Sequence, residues 1–302
     1  MSASFGGSAY TSSGDQDPYL AERDVAIDLF RAYGFTLLDD ITDAALVTGV
    51  AGAFAPDDLG PECAIPDVSL QTQRYFGNTV RPRLIRDMEA GNQKALQLVH
   101  QFGRFLGVAY QGGVVGVQGS RDLFITDTHI VIDGIEQPYT LEAKQIADFG
   151  MSFAGIVAHL QNVRAERYKV LGLQEMLGQA ALLQGVALQR GIARDRLQVY
   201  SGGIQANIDK IEPHGLDVII ASRVHSAGKD LVFGIERAAM LLRSGGVLVA
   251  RGPRYYEASG YDRVFGIIRD DPAMRILENR TYERESPWRA SEPSRVIIAQ
   301  AK

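Results

Sequence analysis

From about residue 145 to residue 250, short apolar runs of strand length alternate with stretches whose apolar residues recur at helical spacing. No other feature constrains the fold as strongly, because a strand–helix–strand repeat buries its apolar faces best as a parallel sheet with helices on both sides. Gln145–Phe149, Tyr168–Leu173, Leu197–Tyr200, Asp217–Ala221 and Val247–Ala250 read as strands. A helix is predicted from about Phe153 to Gln161. In the next one Leu177, Ala181, Gly185 and Leu188 step by four residues, and Gly191 acts as the stop. Leu231, Ile235, Ala239 and Leu242 line a further helix face, stopped by Ser244-Gly245-Gly246. Met274–Tyr282 and Ser294–Gln300 are strand-like runs separated by loop, which predicts an antiparallel hairpin on the sheet edge. The expected class is therefore α/β: a Rossmann-like parallel sheet with helices on both faces and a C-terminal hairpin, occupying residues 144–302.

The first half has a different grammar. Residues 1–18 are small and polar and read as a flexible tail, which could order as a lid. Residues 19–143 are mainly helical. Ala26, Leu29 and Phe30 recur at helix spacing, as do Ala95, Leu96, Val99 and Phe102, with a Pro/Asp-rich break at 55–66. Leu123–Ile125 and Ile130–Ile132 suggest a short hairpin around Thr126–His129. This half could cover a pocket, exclude water or make a homodimer, and its sequence does not choose.

Composition narrows the partners. At 46% hydrophobic and 22% charged, the 302 residues are those of an ordinary soluble protein. A formal charge of −5 leaves no electrostatic footprint for nucleic acid; Arg81, Arg83 and Arg86 cluster only as a solvated face or anion contact would. Cys63 is the only cysteine, so neither an intrachain disulfide nor a Cys-cluster metal site is expected. No run approaches the roughly 20 apolar residues that cross a bilayer, and Met1–Gln16 lacks the order of a signal peptide. A cytoplasmic protein with a small-molecule or amino-acid substrate, and no metal, fits best.

In an open parallel sheet, ligands bind beyond the carboxyl ends of the strands, where the strand order reverses. The loop after the first strand, Asp148-Phe-Gly150-Met-Ser152-Phe-Ala154-Gly155, has the small residues that admit a ligand to the backbone. It resembles motif I of class I S-adenosylmethionine-dependent methyltransferases, with Ser152 and Ala154 in place of two glycines. The second strand ends in Val170-Leu-Gly-Leu-Gln174-Glu175, similar to the segment whose carboxylate grips the ribose hydroxyls in that superfamily. Gln174 takes that place here, and Glu175 follows it. Tyr200-Ser-Gly202-Gly203 ends the third strand, where the superfamily often has an Asp near the adenine. Leu216–Ser222 looks like the fourth strand, and Ala238-Ala-Met-Leu-Leu-Arg-Ser-Gly-Gly-Val-Leu-Val249 closely resembles the helix, turn and fifth strand. The resemblance covers residues 144–302 and implies S-adenosylmethionine as cofactor, bound by Asp148, Gly150, Ser152, Ala154, Gln174, Glu175, Gly202, Gly203 and Ser222. A nicotinamide-dependent dehydrogenase is the rival on fold grounds; the missing second glycine and the hairpin-like C-terminus argue against it.

The resemblance implies methyl transfer to a small molecule, an in-line displacement in which the protein mainly supplies alignment. His225, in Arg223-Val-His-Ser226, is the candidate general base, because its unperturbed pKa suits proton transfer near neutrality. It equally suits a surface or capping histidine. Tyr200 could face a sulfonium with its ring, or could simply pack. Val247–Arg254 and Ser294–Gln300 are also similar to parts of nicotianamine synthases, which transfer the 3-amino-3-carboxypropyl arm of the same cofactor. There Arg251 could clamp a carboxylate bidentately, or could pair on the domain surface. Intramolecular cyclisation of that arm, and a non-catalytic binding protein, are the remaining alternatives.

Overall fold

The computed structural model describes residues 18–36, 70–111, 123–125, 129–132, 135–138, 145–151, 169–175, 177–189, 191–222, 229–253, 261–286 and 289–302. In its first part the helices are α1 (Pro18–Ala32), α2 (Leu70–Tyr75), α3 (Arg81–Glu89) and α4 (Gln93–Gln111), with a π-helical turn at Phe76–Val80 joining α2 to α3. Strands β1 (Leu123–Ile125), β2 (His129–Ile132) and β3 (Ile135–Pro138) form an antiparallel meander, so the predicted hairpin has a third strand.

The second part is built on β4 (Gln145–Phe149), β5 (Lys169–Gln174), α5 (Leu177–Gln189), β6 (Leu197–Ser201) and β7 (Leu216–Ser222). It continues with α6 (Lys229–Ile235), α7 (Ala238–Leu241), β8 (Leu242–Pro253), α8 (Tyr261–Asp270), β9 (Met274–Ser286) and β10 (Arg289–Ala301). The seven strands lie in the order β6-β5-β4-β7-β8-β10-β9. All pairs from β6 to β8 are parallel, and β10 runs antiparallel between β8 and β9. Chain order therefore reverses between β4 and β7, which is where such a sheet opens its ligand crevice.

Two positions differ from the periodicity. The helix expected across 231–242 breaks in two, because Arg237 closes a turn: its N–H donates to Gly234 O at 3.2 Å and its guanidinium to Phe233 O at 3.1 Å. Helix α8 was not among the expected elements. Its Tyr261, Val264, Phe265 and Ile268 are buried at the spacing of one helix face, so the signal was present.

Alternation along the strands divides the core into two layers. Ile146, Val170, Val218, Val249, Val296 and Ile298 pack on one face with apolar residues of α1, α3, α4 and α5. Ala147, Leu173, Ile219, Leu248 and Ile297 pack on the other with α6, α7 and α8. Helix α5 is buried from Gly178 to Ala187, not on a single stripe, because α4 covers its outer side. The two helices cross where a Cβ on Gly103 would lie 2.2 Å from Leu182 O and one on Gly185 2.3 Å from His100 O. Only glycine admits backbones this close.

Polar ties fix the outer helices. Arg104 Nη2 meets Glu22 Oε1 at 2.6 Å and Gln101 Nε2 donates to Glu22 Oε2 at 2.6 Å, joining α1 to α4. The Arg104 hydrogen bond above all holds the Glu22 carboxyl below its usual range. Arg83, from the basic cluster, lies over the rings of Tyr33 and Phe35, 5.0 and 4.8 Å from their centroids. Its partners are internal, and among the described residues no helix is long and apolar enough to cross a membrane.

Candidate functional site

Four buried polar side chains lie at the end of the sheet where the parallel strands finish, Ser294 on antiparallel β10 opposite the end of β8. Asp148 is 4% exposed, Gln174 7%, Arg251 3% and Ser294 0%. Strand alternation puts each of them on one face of the sheet: Asp148 with Ile146, Gln174 with Val170, Arg251 with Val249, and Ser294 with Val296 and Ile298. Half-buried Ser222 shares that face and stands in register with Arg251, which pairs in turn with Val296. Asp148 pairs with Gly172 on one side and Ile220 on the other, so it sits at the reversal of strand order. The polar set therefore runs across the crevice, carboxylate on one bank and guanidinium on the other.

The loop after β4 is held by β5. Gly150 takes a positive φ of 78°, which turns the chain out of the strand, and its N–H and that of Met151 both donate to Leu173 O at 2.8 and 3.2 Å. Met151 is wholly buried, and its sulfur fits because Gly172 has no side chain: a Cβ there would stand 2.5 Å from Met151 Sδ. Gln174 Nε2 donates to Met151 O at 2.7 Å. The amide at the position expected to grip a ribose thus also positions the neighbouring loop, while Glu175 is exposed.

The loop after β6 is tied as closely. Gly202 N–H donates to Glu175 O at 3.3 Å and Gly203 N–H to Gln174 O at 3.2 Å. Asp230, in the first turn of α6, accepts from Ile204 N–H at 2.8 Å and Gln205 N–H at 2.7 Å. Asn207 Nδ2 bridges the carbonyls of Ser201 and Gly203 at 2.8 and 2.7 Å. Four consecutive amides, 202 to 205, are committed within the protein.

The structure brings together Asp148, Gly150, Gln174, Glu175, Gly202, Gly203, Ser222 and Arg251 at one end of the sheet. Tyr200 is placed apart: it packs on the opposite face, and Lys210 Nζ lies 4.1 Å from its ring centroid. Ser152, Ala154 and His225 lie outside the described residues, as do Cys63 and the helix expected at 153–161. Sequence reasoning missed Asp230, Asn207 and Ser294. An Asp in a first helical turn reads as an ordinary cap, and a Ser within a strand carries no local signal. Among the described residues no group of three His, Cys, Asp or Glu could hold a metal ion.

No family model matches the chain, and no curated protein matches it. Among solved structures it is similar to a SAM-dependent methyltransferase from Methanosarcina mazei, at 14% identity over 54% of this chain and 94% of that one, with a TM-score of 0.41. It is similar to cofactor-bound Rv0187 from MTB at 15% identity, over 96% of this chain and 99% of that one, with a TM-score of 0.44. CrArsM, an arsenic(III) S-adenosylmethionine methyltransferase from Chlamydomonas reinhardtii, is similar at 14% identity over 62% and 71% of the two chains, TM-score 0.40. Likeness this distant says nothing of reaction or substrate. The strand order carries the fold by itself: with a parallel sheet whose order reverses between β4 and β7, closed by an antiparallel β9–β10 hairpin, the chain has a Rossmann-like fold.

Proposed function

We propose that this protein is an S-adenosylmethionine-dependent transferase acting on a small molecule, with methyl transfer as its reaction. The observation that carries the reading is the buried polar set at the strand-order reversal, with Asp148 on one bank and Arg251 on the other. A buried site with a few convergent polar groups suits a ligand that is itself polar, and S-adenosylmethionine carries an ammonium, a sulfonium and a carboxylate. The residues present fit that group: Asp148 would take its cationic end, the glycine turn at Gly150 would bring the backbone beside it, and Gln174 would offer its amide to a ribose hydroxyl. Gly202 and Gly203, at the end of β6, stand at the next position along the sheet edge.

S-adenosylmethionine supplies an electrophilic methyl carbon on sulfur. The chain's own work is to hold that carbon and the acceptor in line and to keep water from between them. Burial of Asp148, Gln174 and Arg251 serves the second task, since charges strengthen one another once water is excluded. Where the acceptor carries a proton, His225, shortly past Ser222 in the chain, is the candidate to take it.

The test is incubation of the pure protein with S-adenosylmethionine, followed by mass spectrometry of the nucleoside product. S-adenosylhomocysteine that appears only with an added acceptor is the expected result. Methylthioadenosine above the no-enzyme background would replace methyl transfer by attack on the aminocarboxypropyl arm. An absence of binding heat with S-adenosylmethionine in calorimetry would overturn the reading altogether.

A further inference from the structure

We propose that Arg251 and Ser294 form a subsite for the carboxylate of the acceptor, so that the substrates are small carboxylic acids. The inference rests on the transferase reading above and deepens it.

Ser294 is the starting point. Its side chain is wholly buried, and its Oγ makes no hydrogen bond. A hydroxyl shut away from water without a partner is uncommon in folded proteins and asks for a reason. Its place supplies one. Ser294 opens the part of β10 that pairs with β8, opposite Pro253, while Val296 lies opposite Arg251. Ser294 and Arg251 are therefore diagonal neighbours on adjacent antiparallel strands, roughly 7–8 Å apart at the backbone and on the same face. That is the ligand end of the sheet, and the face that carries Asp148 and Gln174.

Chemistry then selects the ligand. A guanidinium is charged at every working pH, and its planar fork matches the two oxygens of a carboxylate. A hydroxyl beside it donates to one of those oxygens as well. The pair stands on β8 and β10, on the far side of the reversal from Asp148, which lies two strands away from β8 at about 4.8 Å per strand. This separation leaves the cationic end of the cofactor to the Asp148 bank and the anionic end of an acceptor to the Arg251 bank. Half-buried Ser222, in register with Arg251, stands between the two.

The experiment uses the full chain saturated with S-adenosylhomocysteine and titrated with benzoate and with isobutyrate, each compared with its primary amide. The carboxylates are expected to bind about tenfold or more tightly than the amides. Ser294→Ala is expected to weaken the carboxylates about threefold or more while leaving S-adenosylhomocysteine affinity unchanged. Arg251→Lys keeps the charge but loses the fork, and should weaken them further. Ser294→Ala should also be at least as heat-stable as the wild type, since the hydroxyl makes no bond in the fold; a lower Tm would assign Ser294 to structure and overturn the subsite. Equal binding of acids and amides, or no binding of either, overturns it too. Loss of S-adenosylhomocysteine affinity in Arg251→Lys would give the arginine to the cofactor instead, with the same consequence. If S-adenosylhomocysteine does not bind the wild type, the transferase reading falls. The same titrations on the ligand-free chain then decide the subsite, because an acid-over-amide preference lost in Ser294→Ala supports it and its absence overturns it.

Discussion

A Cβ on Gly203 would stand 2.6 Å from Oδ2 of Asp230, the carboxylate that caps the N–H groups of Ile204 and Gln205. The loop after β6 and the start of α6 are thereby fitted to each other, and the same loop returns its own N–H groups to Gln174 and Glu175. Gly203 also takes a φ of 78°. Gly203→Ala should cost about 1–2 kcal/mol from the left-handed backbone alone, and more from the displaced carboxylate. Urea denaturation checks the stability, and calorimetry with S-adenosylhomocysteine should show weaker binding in the same variant. Unchanged binding would separate this loop from the ligand.

The crossing of α4 and α5 makes a purely structural prediction. Gly103→Ala and Gly185→Ala should each destabilise by about 2–3 kcal/mol, because the new methyl meets backbone, which cannot rotate away. Gly266, in α8, is the contrasting case. Nothing lies within 4 Å of a Cβ built there, and Gly266→Ala should stabilise by about 0.5–1 kcal/mol through helix propensity. Chemical denaturation of the three variants tests the pair against its control.

Gln174 decides between two uses of one position. Its amide donates to Met151 O. Gln174→Glu at neutral pH removes that donor and sets a carboxylate against a carbonyl, so Tm should fall and S-adenosylhomocysteine should bind about tenfold or more weakly. Tighter binding in the variant would mean instead that a ribose grip outweighs the loop contact.

Among the described residues, three groups illustrate the pH dependence of stability, each in its own window. Burial first, and Arg194 second, hold His100 below its ordinary value. The unfolded chain then takes the proton more readily, so stability is intact above about pH 6.5 and is lost as pH falls below it towards the folded-state pKa. His100→Gln should flatten the urea midpoint across that range. Glu22, lowered chiefly by its bond to Arg104, keeps its contribution above the usual carboxylate range and loses it only at more acid pH.

Tyr33 acts at the other end. Its hydroxyl donates to Asp87 Oδ2 at 2.5 Å, and burial followed by that hydrogen bond pushes its pKa up to about 12. The unfolded tyrosine ionises first, near pH 10, so stability should be lost as pH rises from about 10 towards 12. Spectrophotometric titration should show a late-ionising tyrosine in the wild type that is lost in Tyr33→Phe.

Much of this protein was legible before any coordinates, because its elements obey local rules. Val218, Ile219 and Ile220 belong to a strand buried on both faces and read as an unbroken apolar run. Gly191 ends α5 with a φ of 72° and an N–H to Leu188 O, as a glycine past the last helical turn should. Parallel pairing and the C-terminal hairpin followed from such signals. Tertiary structure alone decided what meets across the chain. Gln174 finds Met151 O, Asp230 finds the amides of Ile204 and Gln205, and Ser294 comes to lie diagonal to Arg251 on an adjacent strand. Periodicity places a residue on a face, but it carries no information on which strand becomes its neighbour. That choice is made when the sheet assembles and its central strands bury both of their faces at once.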